Sequence, residues 1–229
     1  MIKKDKILAF VQTIIYWVAL GVFKIFFRFK AEGQENLKGL ENSPVIFTSN
    51  HNSYLDGIFA VVSLPKISLW SKNFFPIRFL MTDRFFRWNH FPINLICKLI
   101  GAVKVTRAKN KKPDNSHLRQ VLAEPIKLLK EGKKIWIYPE GGFHKDGTPK
   151  KPRVGAAFLH QQTKAPILPI RIIGNAKVMS KIVPFLPRIT TLIGLNKIKV
   201  IIGKPIYYLE NLSLEEDTSK IMQSIYKLK

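Results

Sequence analysis

Cysteine is almost absent from this chain, with Cys97 the single example in 229 residues. One thiol excludes an internal disulfide and fits a reducing compartment. Acidic side chains are scarce too, 15 against 38 lysines and arginines, so the formal charge reaches +23. That imbalance favours anionic partners: lipid head groups, phosphorylated substrates, acidic carrier proteins or nucleic acid. The basic residues are spread along the whole chain and no nucleic-acid module motif is present, which argues against nucleic acid. Each lysine or arginine near an anionic bilayer contributes on the order of 1 kcal/mol, so a handful on one face would hold the chain at a membrane. Internal repeats and low-complexity stretches are missing, and no metal is implied, because His51 and Asp56 lack companions at ligand spacing.

One long apolar run is present. Ile7–Phe23 holds seventeen residues without a charge, at the lower limit for a spanning helix. No small-residue cleavage site follows, and Phe26, Phe27, Arg28, Phe29 and Lys30 are the wrong flank for a signal peptide. Residues 1–30 are therefore expected to form a membrane-anchoring helix, spanning or lying in the interface with Tyr16 and Trp17 at head-group level. A buried helix packed on the domain is the plainer alternative. Residues 31–229 are expected to form one α/β domain.

The rest of the chain is organised around residues 45–59. Val45–Ser49 is short, apolar and β-branched, and predicts a buried strand. Asn52 and Ser53 then supply turn and N-cap chemistry for a helix carrying Leu55, Ile58, Phe59 and Val62. On one helix, His51 and Asp56 would point roughly 140° apart. With His51 on the strand exit and Asp56 in the first helical turn, the carboxylate accepts a hydrogen bond from one imidazole nitrogen and leaves the other as a base. Ser53 is explained by capping and Cys97 lies in an apolar run, so the base is expected to act directly on a substrate hydroxyl. A loop histidine beside a capping aspartate is the bland reading of the pair alone.

Further strands are expected at Ile67–Trp70, Ala102–Val105, Lys134–Tyr138, Pro166–Ile173 and Lys199–Ile202. Pro169 suggests that the fourth of these is an edge strand or carries a bulge. Helices are expected at Ile93–Ile100, from Asp114 or Ser116 to Gly132 with a kink at Pro125, from Gly155, and at Ser213–Leu228 with Glu215, Glu216 and Asp217 in its first turn. Phe74, Phe75, Phe79, Phe85, Phe86, Trp88 and Phe91 alternate with Lys72, Arg78, Arg84 and Arg87, which fits either core or a surface dipping into lipid. Val183–Pro187 and Leu192–Leu195 are a second candidate lipid-facing surface. After the Lys134–Tyr138 strand, Glu140, Gly141 and Gly142 form a turn whose glycines let backbone amides approach an anion.

The segment NHNSYLDG resembles the NHxxxxD signature of the glycerolipid acyltransferase family, whose best-known members are 1-acylglycerol-3-phosphate acyltransferases. Three further blocks follow in the family's order: GAVKVTR at Gly101–Arg107, YPEGGFHKDG at Tyr138–Gly147 and APILPIRI at Ala165–Ile172. The resemblance implies an α/β fold, a mixed central sheet flanked by helices with an N-terminal membrane-associated helical segment. It implies His51 and Asp56 as the catalytic pair, Arg107 on the acceptor's phosphate, and Glu140, Gly141, Gly142 and Lys145 as further substrate-binding residues. No cofactor is implied beyond an acyl-CoA or acyl carrier protein thioester as co-substrate. The implied acceptor is a lysophospholipid, and the implied place is the cytoplasmic face of a membrane, the bacterial inner membrane in the first instance. The family's EGTRS loop reads EGGFH here, with Gly142, Phe143 and His144 in place of Thr, Arg and Ser, while Lys145, Lys150, Lys151 and Arg153 offer compensating charge. The same chemistry on another glycerolipid or lysolipid acceptor stays open, as does a non-catalytic basic protein that binds membrane or nucleic acid.

Overall fold

The computed structural model describes residues 2–53, 55–65, 74–87, 93–106, 114–142, 150–175 and 196–229. Seven strands build one mixed sheet: β1 (Arg28–Glu32), β2 (Val45–Ser49), β3 (Ile77–Thr82), β4 (Val103–Val105), β5 (Lys134–Ile137), β6 (Ile167–Ile173) and β7 (Lys197–Ile202). Their order is β1-β7-β6-β2-β5-β3-β4. From β4 to β6 every pairing is parallel, β7 runs antiparallel to β6, and β1 runs parallel to β7. The sheet interior reads as near-continuous Val, Ile and Phe because both faces are covered, and all five residues of β2 are buried.

Alternation along the strands splits the core in two. Val45, Phe47, Trp136, Leu168, Ile170 and Ile172 face one layer, which is closed by α1 (Ile2–Phe26) and α2 (Asp56–Val62). Ile46, Ile135 and Ile167 face the other, closed by α4 (Asn115–Val121), α5 (Ala123–Lys130), α6 (Gly155–Thr163) and α7 (Leu214–Tyr226). The remaining helix, α3 (Ile93–Leu99), precedes β4.

Several expected elements appear where local chemistry put them. The side chain of Asp114 caps α4, and the helix is interrupted at Leu122, because Pro125 has no N–H for the Val121 carbonyl one turn earlier. Ser213 and Glu216 form a reciprocal capping box on α7.

Other expectations need correction. Strand β3 was not anticipated, and of the aromatic stretch Phe74 and Phe75 are buried in the core. Strand β6 is interior, not an edge. Pro169 is tolerated there because the register places it opposite Gly203, one residue past the end of β7, and its carbonyl still accepts from the Gly203 N–H at 2.8 Å. Helix α1 ends at Phe26, and residues 28–30 pair with β7 as part of β1. The strand expected at Ile67–Trp70 and the surfaces expected within 183–195 lie outside the described residues, as do Lys72, Trp88 and Phe91.

Helix α1 is long and apolar enough to cross a membrane by length and composition, with a mean hydropathy of 1.8 over its apolar window. Its inner face is nevertheless committed to the domain. Gln12 donates to the carbonyls of Ile77 at 2.7 Å and Ile100 at 2.9 Å, and accepts from the Ile77 N–H at 2.8 Å. Asp5 pairs with Arg78 and, at 2.5 Å, with Lys133. Ile7, Phe10, Ile14, Trp17, Val18 and Ile25 form an exposed apolar stripe on the opposite face.

Candidate active site

Three parallel strands, β6, β2 and β5, end side by side, and the residues that follow them converge. Ligands collect at this edge of an open α/β sheet. Beyond β2, the Asn50 side chain continues the pairing with β6: its Nδ2 donates to the Ile172 carbonyl at 2.9 Å and its Oδ1 accepts from the Ile172 N–H at 2.7 Å. This clamp fixes where His51 leaves the sheet.

The imidazole of His51 lies 3.0 Å from Asp56 through Nδ1 and Oδ2. The same carboxylate oxygen accepts from the backbone N–H groups of Asn52 at 2.6 Å and Ser53 at 2.8 Å. A five-residue excursion thus folds back on the side chain of its own last residue. Asp56 is fully buried and His51 keeps 19% of its side chain exposed. A buried carboxylate with several donors is held as an acceptor, so Nδ1 carries the proton and Nε2 the lone pair. Ser53 caps differently from expectation: its Oγ accepts from the Leu55 N–H at 3.2 Å, a turn before the helix, while α2 itself begins without a side-chain cap.

Tyr138, just past β5, lies flat against the His51 ring, with centroids 4.0 Å apart and planes 15° apart. Burial and then the negative charge of Asp56 push its hydroxyl well above its usual range, so it remains a neutral platform. Gly57 gives it room, because a Cβ there would meet the ring of Phe79 and the Tyr138 hydroxyl at 3.2 and 3.3 Å.

Glu140 is 1% exposed. Its Oε1 accepts from the Tyr226 hydroxyl at 2.7 Å, and the backbone N–H groups of Lys150 and His51 also act on the carboxyl. Burial pushes the carboxyl above its ordinary value, opposed by the Tyr226 hydrogen bond and the nearby His51 charge. Gly141 follows at φ 63°, its N–H donating to the Tyr138 carbonyl at 2.9 Å. A side chain there would collide with the stem of Arg153, which crosses the turn. Gly142 is also in the glycine region, at φ 143°.

The structure therefore brings together His51, Asp56, Glu140 and the Gly141 turn. Arg107 and Lys145 lie outside the described residues, with Phe143 and His144, although Thr106 does stand at the end of edge strand β4. Among the described residues no grouping of three His, Cys, Asp or Glu side chains suits a metal. Sequence reasoning missed Tyr138 as the ring platform, Asn175 and Tyr226. The position of Tyr138 and Asn175 just beyond strand ends was a usable signal, whereas nothing in the terminal helix marks Tyr226.

An apolar groove of about 520 Å³ opens between α1 and α2, lined by Ile14, Val18, Val22, Phe26, Leu55 and Ile58. Of its lining residues, Leu55 directly precedes Asp56 in the chain.

The Acyltransferase family model matches residues 28–173. The chain is 26% identical to the chloroplastic 1-acyl-sn-glycerol-3-phosphate acyltransferase BAT2 of Brassica napus over 91% of this chain and 54% of the relative. It is 26% identical to the chloroplastic LPAT1 of Arabidopsis thaliana over 91% and 52%. With the human 1-acyl-sn-glycerol-3-phosphate acyltransferase beta it shares 27% identity over 69% and 51%. The chain thus spans about half the length of the curated relatives it matches. Among solved structures, the 1-acyl-sn-glycerophosphate (LPA) acyltransferase PlsC of Thermotoga maritima superposes with a TM-score of 0.65 at 20% identity, covering 96% of this chain and 75% of that one. That likeness concerns the fold.

Proposed function

The chain belongs to the Acyltransferase family, and on that premise we propose that it moves a fatty acyl group from an acyl thioester to the free hydroxyl of 1-acylglycerol-3-phosphate, giving phosphatidic acid. The observation that carries this reading is the 3.0 Å contact between His51 Nδ1 and a buried, multiply anchored Asp56. His51 Nε2 takes the hydroxyl proton as the acceptor oxygen attacks the thioester carbonyl. The C–S bond then breaks and the proton passes to the departing thiolate. General-base help of this kind contributes roughly 10²- to 10⁴-fold in rate. Arg107 and Lys145 neutralise the acceptor's phosphate, and Glu140, Gly141 and Gly142 shape its seat. The apolar groove beside Leu55 suits an acyl chain. The donor is acyl-CoA or acylated carrier protein, and the formal charge of +23 suits either anion as well as anionic lipid.

The protein associates with membrane through α1, lying in the plane of the interface at the cytoplasmic face of a bacterial inner membrane. Support for the in-plane seating comes from Gln12 and Asp5, which tie the inner side of α1 to the domain and leave only its outer stripe for lipid.

The test is thiol release from an acyl thioester in the presence of lysophosphatidic acid, run with both donors. Parent protein is expected to turn over and His51→Ala to lose at least about 10²-fold while keeping its fold. A fully active His51→Ala protein overturns the mechanism. Because EGGFH replaces EGTRS, a panel of lysolipid acceptors with one donor belongs beside it: a preference for an acceptor without a terminal phosphate overturns the choice of acceptor alone.

A further inference from the structure

Asp56 has two oxygens, and the His51 loop uses only one. The other, Oδ1, accepts at 2.6 Å from the side-chain amide of Asn175, which is 1% exposed. A carboxylate can only accept, so the amide presents Nδ2 to Asp56 and turns Oδ1 towards Asn52, whose Nδ2 lies 3.5 Å away. Asn175 lies two residues beyond the stretch matched by the family model. It belongs to the exit of β6, and Gly174, at φ 87°, bends the chain so that the amide returns over Asp56. The backbone carbonyl of Lys197 crowds the place a Cβ on Gly174 would take, so this bend is built by close approach of β7. The Asn50 clamp on Ile172 fixes the same strand three residues earlier.

We infer that Asn175 is a positioning residue for acyl transfer: its amide fixes the rotation of the Asp56 carboxylate from the side opposite the His51 loop, and through Asp56 it sets the orientation and proton position of the His51 imidazole. The inference rests on the reading of His51 as the base. Without the amide, Oδ1 sits buried and unpaired, the carboxylate is free to turn about its Cβ–Cγ bond, and the share of molecules with Nδ1–H pointing at Asp56 falls. Asn175 is 1% exposed and its amide is spent on Asp56, so the loss is expected on kcat.

Two variants test this in the thioester assay, with His51→Ala alongside. Asn175→Ala is expected to lower kcat roughly 10- to 100-fold, the scale of one hydrogen bond to a charged group expressed as a rate, with KM within about twofold. Asn175→Asp keeps the shape but places two carboxyl groups 2.6 Å apart, where they share one proton and the second ionisation moves to higher pH. While that proton is present, the introduced carboxyl donates its O–H to Asp56 as the amide did. Once it is lost, the donor disappears and the two charges repel. The Asn175→Asp enzyme is therefore expected to be active at mildly acidic pH and to fall away on the alkaline side, at a pH where the parent is still at its plateau. A residue that only fills space would not create that basic limb. A parental pH profile in Asn175→Asp overturns the inference, as does parental kcat in Asn175→Ala. If Asn175→Ala fails to fold, the Asn175→Asp profile decides. An active His51→Ala protein would instead overturn the base on which the inference stands, so the two failures are distinguishable.

Discussion

Glu140 shows how burying a single charged side chain costs stability. Its carboxyl is buried, one oxygen is held by Tyr226, and burial is the main cause of its raised pKa. A carboxyl whose folded pKa exceeds its unfolded value binds more protons folded than unfolded between those two values, so stability falls as pH rises through that window. Above that window the ionised, buried Glu140 weighs against the folded state. Glu140→Gln keeps an acceptor for the Tyr226 hydroxyl and removes the buried charge. The variant is expected to melt at a higher temperature than the parent at pH 7–8, with the gap closing as pH falls to about 4, the ordinary carboxylate range, while acyl transfer drops. Thermal melts across that pH range check the sign. A Glu140→Gln protein less stable than the parent at pH 8 would show that the charge is compensated. The position of Glu140 in a strand-end turn was legible, and so was the His51–Asp56 contact, because both lie within a few residues of a strand terminus. Tyr226 was not legible as a partner, since it reaches the site from 86 residues away in the chain, and for Asn175 the place just past a strand end was the only sign of a contact that spans 119 residues.

Among the elements, α1 departs furthest from its sequence signal. Hydropathy sees a run fit for lipid, yet one polar residue in that run, Gln12, makes three hydrogen bonds with backbone at β3 and after α3. Gln12→Leu leaves the Ile77 N–H and two carbonyls buried without partners, a loss of about 2–3 kcal/mol. Urea unfolding in detergent should show it as a lower midpoint, and an unchanged midpoint would mean that α1 does not pack on the domain in solution. Strand β3 escaped sequence reading for a related reason. Its short alternation over Ile77–Thr82 is flanked by Phe74, Phe75, Phe85 and Phe86, whose bulk swamps a period of two. Strand β6 was found but misplaced in the sheet, because a proline signals an edge only if its missing N–H faces a partner, and here β7 has already ended. Capping chemistry predicted α4 and α7 well because it is local: Asp114, Ser213 and Glu216 act within three residues.

At the scale of the whole molecule, the proposed seating on a charged bilayer draws on the outer stripe of α1 and the excess of lysine and arginine. Co-sedimentation with vesicles containing phosphatidylglycerol should exceed that with phosphatidylcholine alone and weaken as salt is added. Replacing Ile7, Phe10 and Trp17 together by Asp should release the protein from both without unfolding it, because these side chains are exposed and do not line the groove between α1 and α2. Retention of the triple variant on phosphatidylglycerol vesicles would assign the contact to charge alone. The alternation of strands and helices made the α/β class legible, whereas the strand order, with β2 between β5 and β6, arises from pairings across about 90 and about 120 residues that no local pattern records.

The stacking of Tyr138 on His51 has a spectroscopic consequence. At 4.0 Å and near-parallel planes, the carbon-bound protons of that imidazole lie in the shielding region of the tyrosine ring current, and their magnetic resonance signals move upfield, away from those of the other four histidines. The protonation of one ring in the native protein is thereby readable on its own, with no label attached and no residue replaced.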